Sequence, residues 1–335
     1  MENRIENGGN LSLKGRLKSF TKSYEFSLLL ALILICLIMS ALSPYFFTLS
    51  NFMNIGMTSA VSGTMAAGLT VYMLMGALEL SQYAVSALCS TMMGIMCVYW
   101  GWPAWLSIVG ALVVGLLCGL INASLLTFGR IPPIIVTLGT MNVFRGIAYM
   151  LTNAKNIVLM TAPDANVFKF IGQTRIFGFL PVPLLIMLLT FAVCAFVLKQ
   201  TKYGRSVYAV GANPRAAHLS GINVRRIRFI GMLFASISSA LGGIISASIV
   251  MTSMPASGVG SEIDITTSVL IGGLALGGGR GSIMGVFLGM LILMTINNGM
   301  TLLSISSYYQ MAVRGAVLLL AVMVDTLRGG GFKDK

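Results

Sequence analysis

Lys199-Gln-Thr-Lys-Tyr-Gly-Arg-Ser-Val-Tyr-Ala-Val-Gly-Ala-Asn-Pro-Arg-Ala-Ala-His-Leu-Ser-Gly-Ile-Asn-Val-Arg-Arg-Ile-Arg228 is the longest polar segment between apolar ones, and it carries seven of the chain's 22 Lys and Arg with no acid. It contains a complete short-helix signature. Asn213 can cap with its side chain, and Pro214 suits the first helical position, where its missing N–H would be an orphan in any case. The turn runs through Arg215, Ala216, Ala217, His218 and Leu219, and Gly221 stands where a left-handed C-terminal residue is wanted. One small rigid helix is therefore expected outside the apolar regions.

Those apolar regions set the fold class. The 335 residues are 56% hydrophobic and 9% charged, with 38 Gly and 23 Met, whereas soluble domains are roughly 25% charged. The chain reads as an all-α polytopic membrane protein. Its net charge of +13 does not mark a nucleic-acid partner, because the basic residues fall in gaps between apolar runs rather than along one face.

Spans of about 20 apolar residues are expected at 26–47, 53–76, 84–100, 104–126, 131–151, 181–198, 229–250, 264–279, 283–303 and 308–327, about ten in all. The run at 26–47 is too long for a signal-peptide core and is followed by no small-residue cleavage site, so it reads as an uncleaved first span. Most of the Lys and Arg then fall on one side, before the first span, at Arg130, in 199–228, at Arg280 and after Leu327. Lys155, Lys169 and Arg175 fall on the other, and Arg145 and Arg314 lie within spans. That bias puts both termini in the cytoplasm. The expected division is a cytoplasmic segment over 1–25, a transmembrane domain over 26–327 with its cytoplasmic loop at 199–228, and a cytoplasmic tail over 328–335.

Three places are not plain lipid-facing helix. Glu79 interrupts an apolar stretch, and a carboxylate at bilayer depth costs roughly 2.5–3.5 kcal/mol on insertion scales; it is expected at the cytoplasmic end of a span or in a re-entrant segment. Arg145 and Arg314 should face the interior or snorkel outward, as pathway residues or as members of structural pairs. The segment from Thr252 to Asp264, rich in Pro, Gly and Ser, is an external loop in which Glu262 and Asp264 either dock an external partner or start the next helix, where acids are favoured.

Other chemistries are disfavoured. Cys36, Cys89, Cys97, Cys118 and Cys194 all lie in apolar runs without a Cys-x-x-Cys pair and read as small core residues. His218 is the only histidine, which removes Ser-His and multi-His zinc arrangements from the membrane, and no metal site is expected. Gly277-Gly-Gly-Arg-Gly281 lacks the Gly-Lys-Ser/Thr of a phosphate loop and reads as a tight cytoplasmic turn.

The motifs taken together resemble the ribose-type ABC sugar importer permeases. The resemblance runs through Tyr203-Gly-Arg, Ala209-Val-Gly-Ala-Asn and Ala216-Ala-His-Leu-Ser-Gly-Ile-Asn-Val, and through Gly119-Leu-Ile-Asn, Arg130-Ile-Pro-Pro-Ile-Ile-Val-Thr-Leu-Gly-Thr and Phe144-Arg-Gly. It continues in Gly258-Val-Gly-Ser-Glu-Ile-Asp, Gly277-Gly-Gly-Arg-Gly-Ser, Asn297-Asn-Gly and Ser306-Ser-Tyr-Tyr-Gln, so that it covers about residues 50 to 327. It implies a transmembrane subunit without chemistry of its own, paired with an identical or paralogous permease. A periplasmic or lipid-anchored sugar-binding protein would deliver the solute, and a cytoplasmic ATPase, which uses the ATP, would grip the 214–221 helix. No cofactor would be bound by this chain.

The resemblance makes Gly211, Asn213, Pro214, Ala216, Ala217, Leu219 and Gly221 the coupling residues, with Ala217 expected on the face that enters the ATPase groove. Glu79, Arg145, Asn297, Asn298 and Arg314 are candidates for the translocation path or its packing, and Glu262 and Asp264 for docking of the binding protein. The implied location is the bacterial inner membrane. One stretch departs from the family pattern: members read Gly-Gly-Ile-Asp-Leu-Ser-Val-Gly near the end of the second span, and here the stretch is Gly76-Ala-Leu-Glu-Leu-Ser-Gln-Tyr83. Such a change fits an unusual substrate or the divergent half of a heterodimer. The alternative from another class is an ion-coupled secondary transporter, which would need buried acids and often carries inverted repeats.

Overall fold

The computed structural model describes residues 24–129 and 131–328. The N-terminal segment over 1–23, Arg130 and the tail over 329–335, with the basic residues expected there to face the cytoplasm, lie outside the described residues. The rest is a bundle of helices: α1 (Tyr24–Leu42), α2 (Leu49–Met73), α3 (Gln82–Gly94), α4 (Ala104–Phe128), α5 (Pro133–Thr152), α6 (Ala165–Gln173), α7 (Val182–Gln200), α8 (Lys202–Ala212), α9 (Pro214–Leu219), α10 (Val224–Val250), α11 (Glu262–Ile271), α12 (Ile283–Leu302) and α13 (Ser307–Arg328). A π-helical turn over Ile95–Tyr99 extends α3. Two short antiparallel pairings, β1 (Ile157–Val158) with β4 (Thr252–Ser253) and β2 (Arg175–Ile176) with β3 (Leu180–Pro181), tie down the loops at the end away from α9.

The boundaries follow from local chemistry. Thr48, Thr201, Asn223 and Ser282 accept hydrogen bonds from N–H groups in the first turns of α2, α8, α10 and α12, satisfying donors that have no partner inside the helix. Proline stands in the first turn of α5, α7 and α9.

Eight helices among the described residues are long and apolar enough to cross a membrane. α2 has 25 residues, about 37 Å of helix, but is rich in Ser, Thr, Gly and Asn and lies almost wholly inside the bundle. It forms the centre with α3 and α10. Small residues permit that closeness: a Cβ at Gly68 would strike Ser238, one at Gly115 would strike Ala240, and one at Gly243 would strike the Ser86 backbone. α1, α4, α5, α7 and α13 lie outside this centre and turn exposed Leu, Ile, Val and Phe outward, as lipid-facing helices do.

The span expected over 264–279 is corrected. α11 ends at Ile271 after 10 residues, about 15 Å, and the chain continues as a glycine turn in which Gly273, Gly278, Gly279 and Gly281 have positive φ. A second interruption lies between α2 and α3. Tyr83, near the start of α3, hydrogen-bonds Ser62 halfway along α2 at 2.9 Å, so residues 74–81 cover part of the depth as coil before α3 begins. Irregular backbone at such depth is tolerated only where protein surrounds it, and Leu74, Met75, Ala77, Glu79 and Ser81 are all buried.

Candidate functional site

The two interrupted helices meet beneath the polar loop. Gly279 N–H donates to Leu74 C=O at 2.8 Å, and Gly76, with φ +72°, leaves no room for a Cβ against Gly277 C=O. The end of α8 closes the junction: a Cβ on Gly211 would collide with Leu74 C=O and Gly279 N. Gly211 is therefore a packing residue at this junction, not part of an outward face.

α8 was not anticipated from the sequence. It is amphipathic, with Val207 and Val210 fully buried, and its tyrosines fasten it at two points. The Tyr203 ring stacks on Phe234 with centroids 6.0 Å apart, and its hydroxyl donates to Ile227 C=O at 3.1 Å in α10. Tyr208 donates to Gly281 C=O at 3.3 Å in the glycine turn. Burial pushes both phenols above the usual tyrosine range, so both remain protonated donors.

α9 forms as its residues require. Asn213 Oδ1 accepts from the N–H groups of Arg215 and Ala216, both at 3.0 Å, and Gly221 takes φ +82°. The orientation of Ala217 is corrected. Ala217 is 5% exposed and packs into the core, whereas Leu219 is 83% exposed; two positions apart on a helix point in different directions. Pro214, Arg215, Ala216 and His218 are exposed with Leu219. α9 thus presents an apolar tip beside a cation on a support anchored to α10 and to both interrupted helices.

At the opposite end, two arginines hold the 251–264 segment. Arg145 of α5 donates to Pro255 C=O at 3.0 Å and Ser257 C=O at 2.5 Å and lies 3.8 Å from the Glu262 carboxylate. Arg314 of α13 donates to Asp264 Oδ2 at 2.8 Å and Ser261 Oγ at 3.1 Å. Both arginines are thus structural partners at the start of α11. Glu262 and Asp264 stand in the first turn of α11, the second of the two readings open to them; Asp264 is 4% exposed, which leaves it no surface for docking an external protein, and Glu262 keeps partial exposure. The loop reaches inward until Gly258, with φ +75°, lies on the Tyr83 ring.

The remaining candidates are interior polar groups. Asn298 and Asn51 exchange side-chain hydrogen bonds at 2.9 and 3.1 Å, joining α12 to α2, and Asn297 Oδ1 is buried without a partner among the described residues. Glu79 Oε1 accepts from the Ser81 N–H at 2.8 Å and from its hydroxyl, and Ser81 Oγ accepts from Asn122 at 3.0 Å. Glu79 Oε2, Asn122 Oδ1 and both amide atoms of Gln82 are buried and unpaired among the described residues. Sequence reasoning did not single out Asn122 or Asn51, although Asn122 ends the Gly119-Leu-Ile-Asn motif. Glu79→Ala would strand the two Ser81 donors, at about 1–3 kcal/mol for each donor that finds no substitute, whereas Glu79→Gln keeps an acceptor. We expect a clear fall in detergent melting temperature for the first and a small one for the second.

Among the described residues no group of three or more His, Cys, Asp or Glu could hold a metal ion. The cysteines are free, with Cys89, Cys97, Cys118 and Cys194 buried.

Comparison with known proteins adds to this geometry. Residues 33–322 match the family described as branched-chain amino acid transport system / permease component. The chain is 37% identical over 300 residues to the ribose import permease protein of Haemophilus influenzae, covering 90% of this chain and 92% of that one. It is 36% identical over 320 residues to the ribose import permease protein of Escherichia coli, covering 94% and 98%. It is 38% identical over 297 residues to that of Bacillus subtilis, covering 88% and 91%. No solved structure matches the chain.

Proposed function

This chain belongs to the permease-component family of transport systems, and on that premise we propose that it forms the membrane pathway of an ATP-driven importer for a ribose-like monosaccharide. It is a multi-pass inner-membrane transport subunit of an ABC importer, not an enzyme. The family description names branched-chain amino acids, but the relatives that align along nearly the whole chain are ribose permeases. That full-length similarity is the observation that carries the sugar assignment.

The partners follow from the proposal. An ATPase subunit takes α9 from the cytoplasm and binds the nucleotide, so this chain needs no cofactor. A sugar-binding protein delivers the solute at the end that carries 251–264, and a second permease, identical or paralogous, completes the pathway. Both termini then lie in the cytoplasm, with seven basic residues of 199–228 on the same side.

Transmission is mechanical. Movement of α9 is carried by α8 to the contact among Gly211, Leu74 and Gly279, where two interrupted helices meet. A packed interface of this kind responds by shifting bodies against one another rather than by local deformation. An ion-coupled transporter is the weaker reading. Of its buried acids, Asp264 is held by Arg314, and family membership favours the ATP-driven class.

The test is co-purification from mild detergent. A soluble ATPase subunit is expected to accompany the chain and to be lost when 213–221 is replaced by a Gly/Ser linker. Retention of the ATPase by the linker variant would remove α9 from the coupling role.

A further inference from the structure

A cleft of about 380 Å³ lies between the end of α4, the start of α5 and the first turn of α10, beside the route that runs from α9 to the glycine junction. Its wall is chemically two-sided. Leu126, Ile131 and Phe229 supply apolar surface, Arg225 and Arg228 supply two guanidinium groups, and Tyr72 lies deepest, 1% exposed. Neither arginine takes part in an ion pair among the described residues, where both ion pairs belong to Arg145 and Arg314 at the other end. Arg228 Nε is buried and has no hydrogen-bond partner among the described residues. A buried, unpaired guanidinium N–H is costly unless something accepts from it.

The surroundings narrow the choice of acceptor. Beside the cleft, Phe128 is 76% exposed, Ile135 59% and Ile134 42%, a band of large apolar side chains on α4 and α5 of the kind that suits acyl chains. A guanidinium pair matches phosphate oxygens in geometry and charge, and basic pockets between membrane helices on the cytoplasmic side suit anionic headgroups. A free anion would use the arginines but leave the apolar band unexplained.

We propose that this cleft binds an anionic phospholipid, its phosphate against Arg225 and Arg228 and its acyl chains along Phe128, Ile134 and Ile135. The lipid contacts one face of the first turns of α10, the helix to which Tyr203 fastens α8, so the site ties the coupling loop to the leaflet beside it. The proposal goes beyond the transport assignment and is independent of the solute.

Native mass spectrometry of the full-length chain in neutral detergent tests it, with phosphatidylglycerol, phosphatidylcholine and inorganic phosphate offered separately and in competition. Phosphatidylglycerol should be retained in preference to phosphatidylcholine. Arg225→Gln with Arg228→Gln should weaken that retention about 30-fold, from roughly 1 kcal/mol for each basic residue near a membrane surface. Thr127→Trp, which fills the cleft and leaves both arginines in place, should weaken it comparably and covers the case in which the double variant fails to fold. Equal retention of the two lipids, or unchanged retention in a folded variant, would overturn the proposal. Displacement of the lipid by millimolar inorganic phosphate would assign the arginines to a free anion and overturn the lipid as the occupant.

Discussion

Leu219→Arg is expected to abolish uptake of labelled ribose while the chain still reaches the membrane in normal amount. Leu219 is 83% exposed, so no internal packing depends on it. Its helix is held in place by the Asn213 cap, the buried Ala217 and the left-handed Gly221. A partner that closes over α9 gains about 1.5–3 kcal/mol from a buried leucine, and anchors of this kind carry most of an interface's energy. Arginine forfeits that gain and adds an unpaired charge to the contact. Loss of association by a factor of about 100 or more follows. Uptake within twofold of the unsubstituted chain, at equal membrane abundance, would sink the assignment. Ala217→Arg is expected to fail differently, by lowering the amount of folded chain, because Ala217 packs inward.

The second large effect concerns Asp264 and Arg314. Removing one member of a buried ion pair leaves an uncompensated charge and costs about 3–5 kcal/mol. Asp264→Ala is therefore expected to reduce the yield of monodisperse protein sharply and to lower its melting temperature in detergent. Asp264→Ala combined with Arg314→Leu should recover part of the loss, since replacing both partners by apolar groups is often near neutral. A double variant as unstable as the sum of the two single ones would show that the residues do not act as a pair.

The short helix was legible because its signals are local: Asn213, Pro214 and Gly221 each specify one backbone conformation. The apolar spans were legible from composition. The break after Ile271 was not, because 269–279 is wholly apolar or glycine, and glycine serves both close helix packing and left-handed turns; only the distant partners of 277–281, namely Leu74, Gly76 and Gly211, decide between them. The direction of Ala217 could not be read for a similar reason, since six residues of helix do not reveal which side meets the protein. Arg145 and Arg314 stood out as charges inside apolar runs, but their partners lie across 112 and 50 residues of sequence. The Gln82-Tyr83 departure was visible as an oddity, and the fold gives Tyr83 a place between Ser62 and Gly258.

The account rests on ATP-driven sugar movement through this chain, and the most direct measurement is uptake of labelled ribose into proteoliposomes that hold the permease with its ATPase and binding protein. Uptake is expected to require ATP inside the site of hydrolysis and to be indifferent to an uncoupler. Uptake that persists without ATP and collapses when the ion gradient is dissipated would contradict the account and place the chain among ion-coupled transporters.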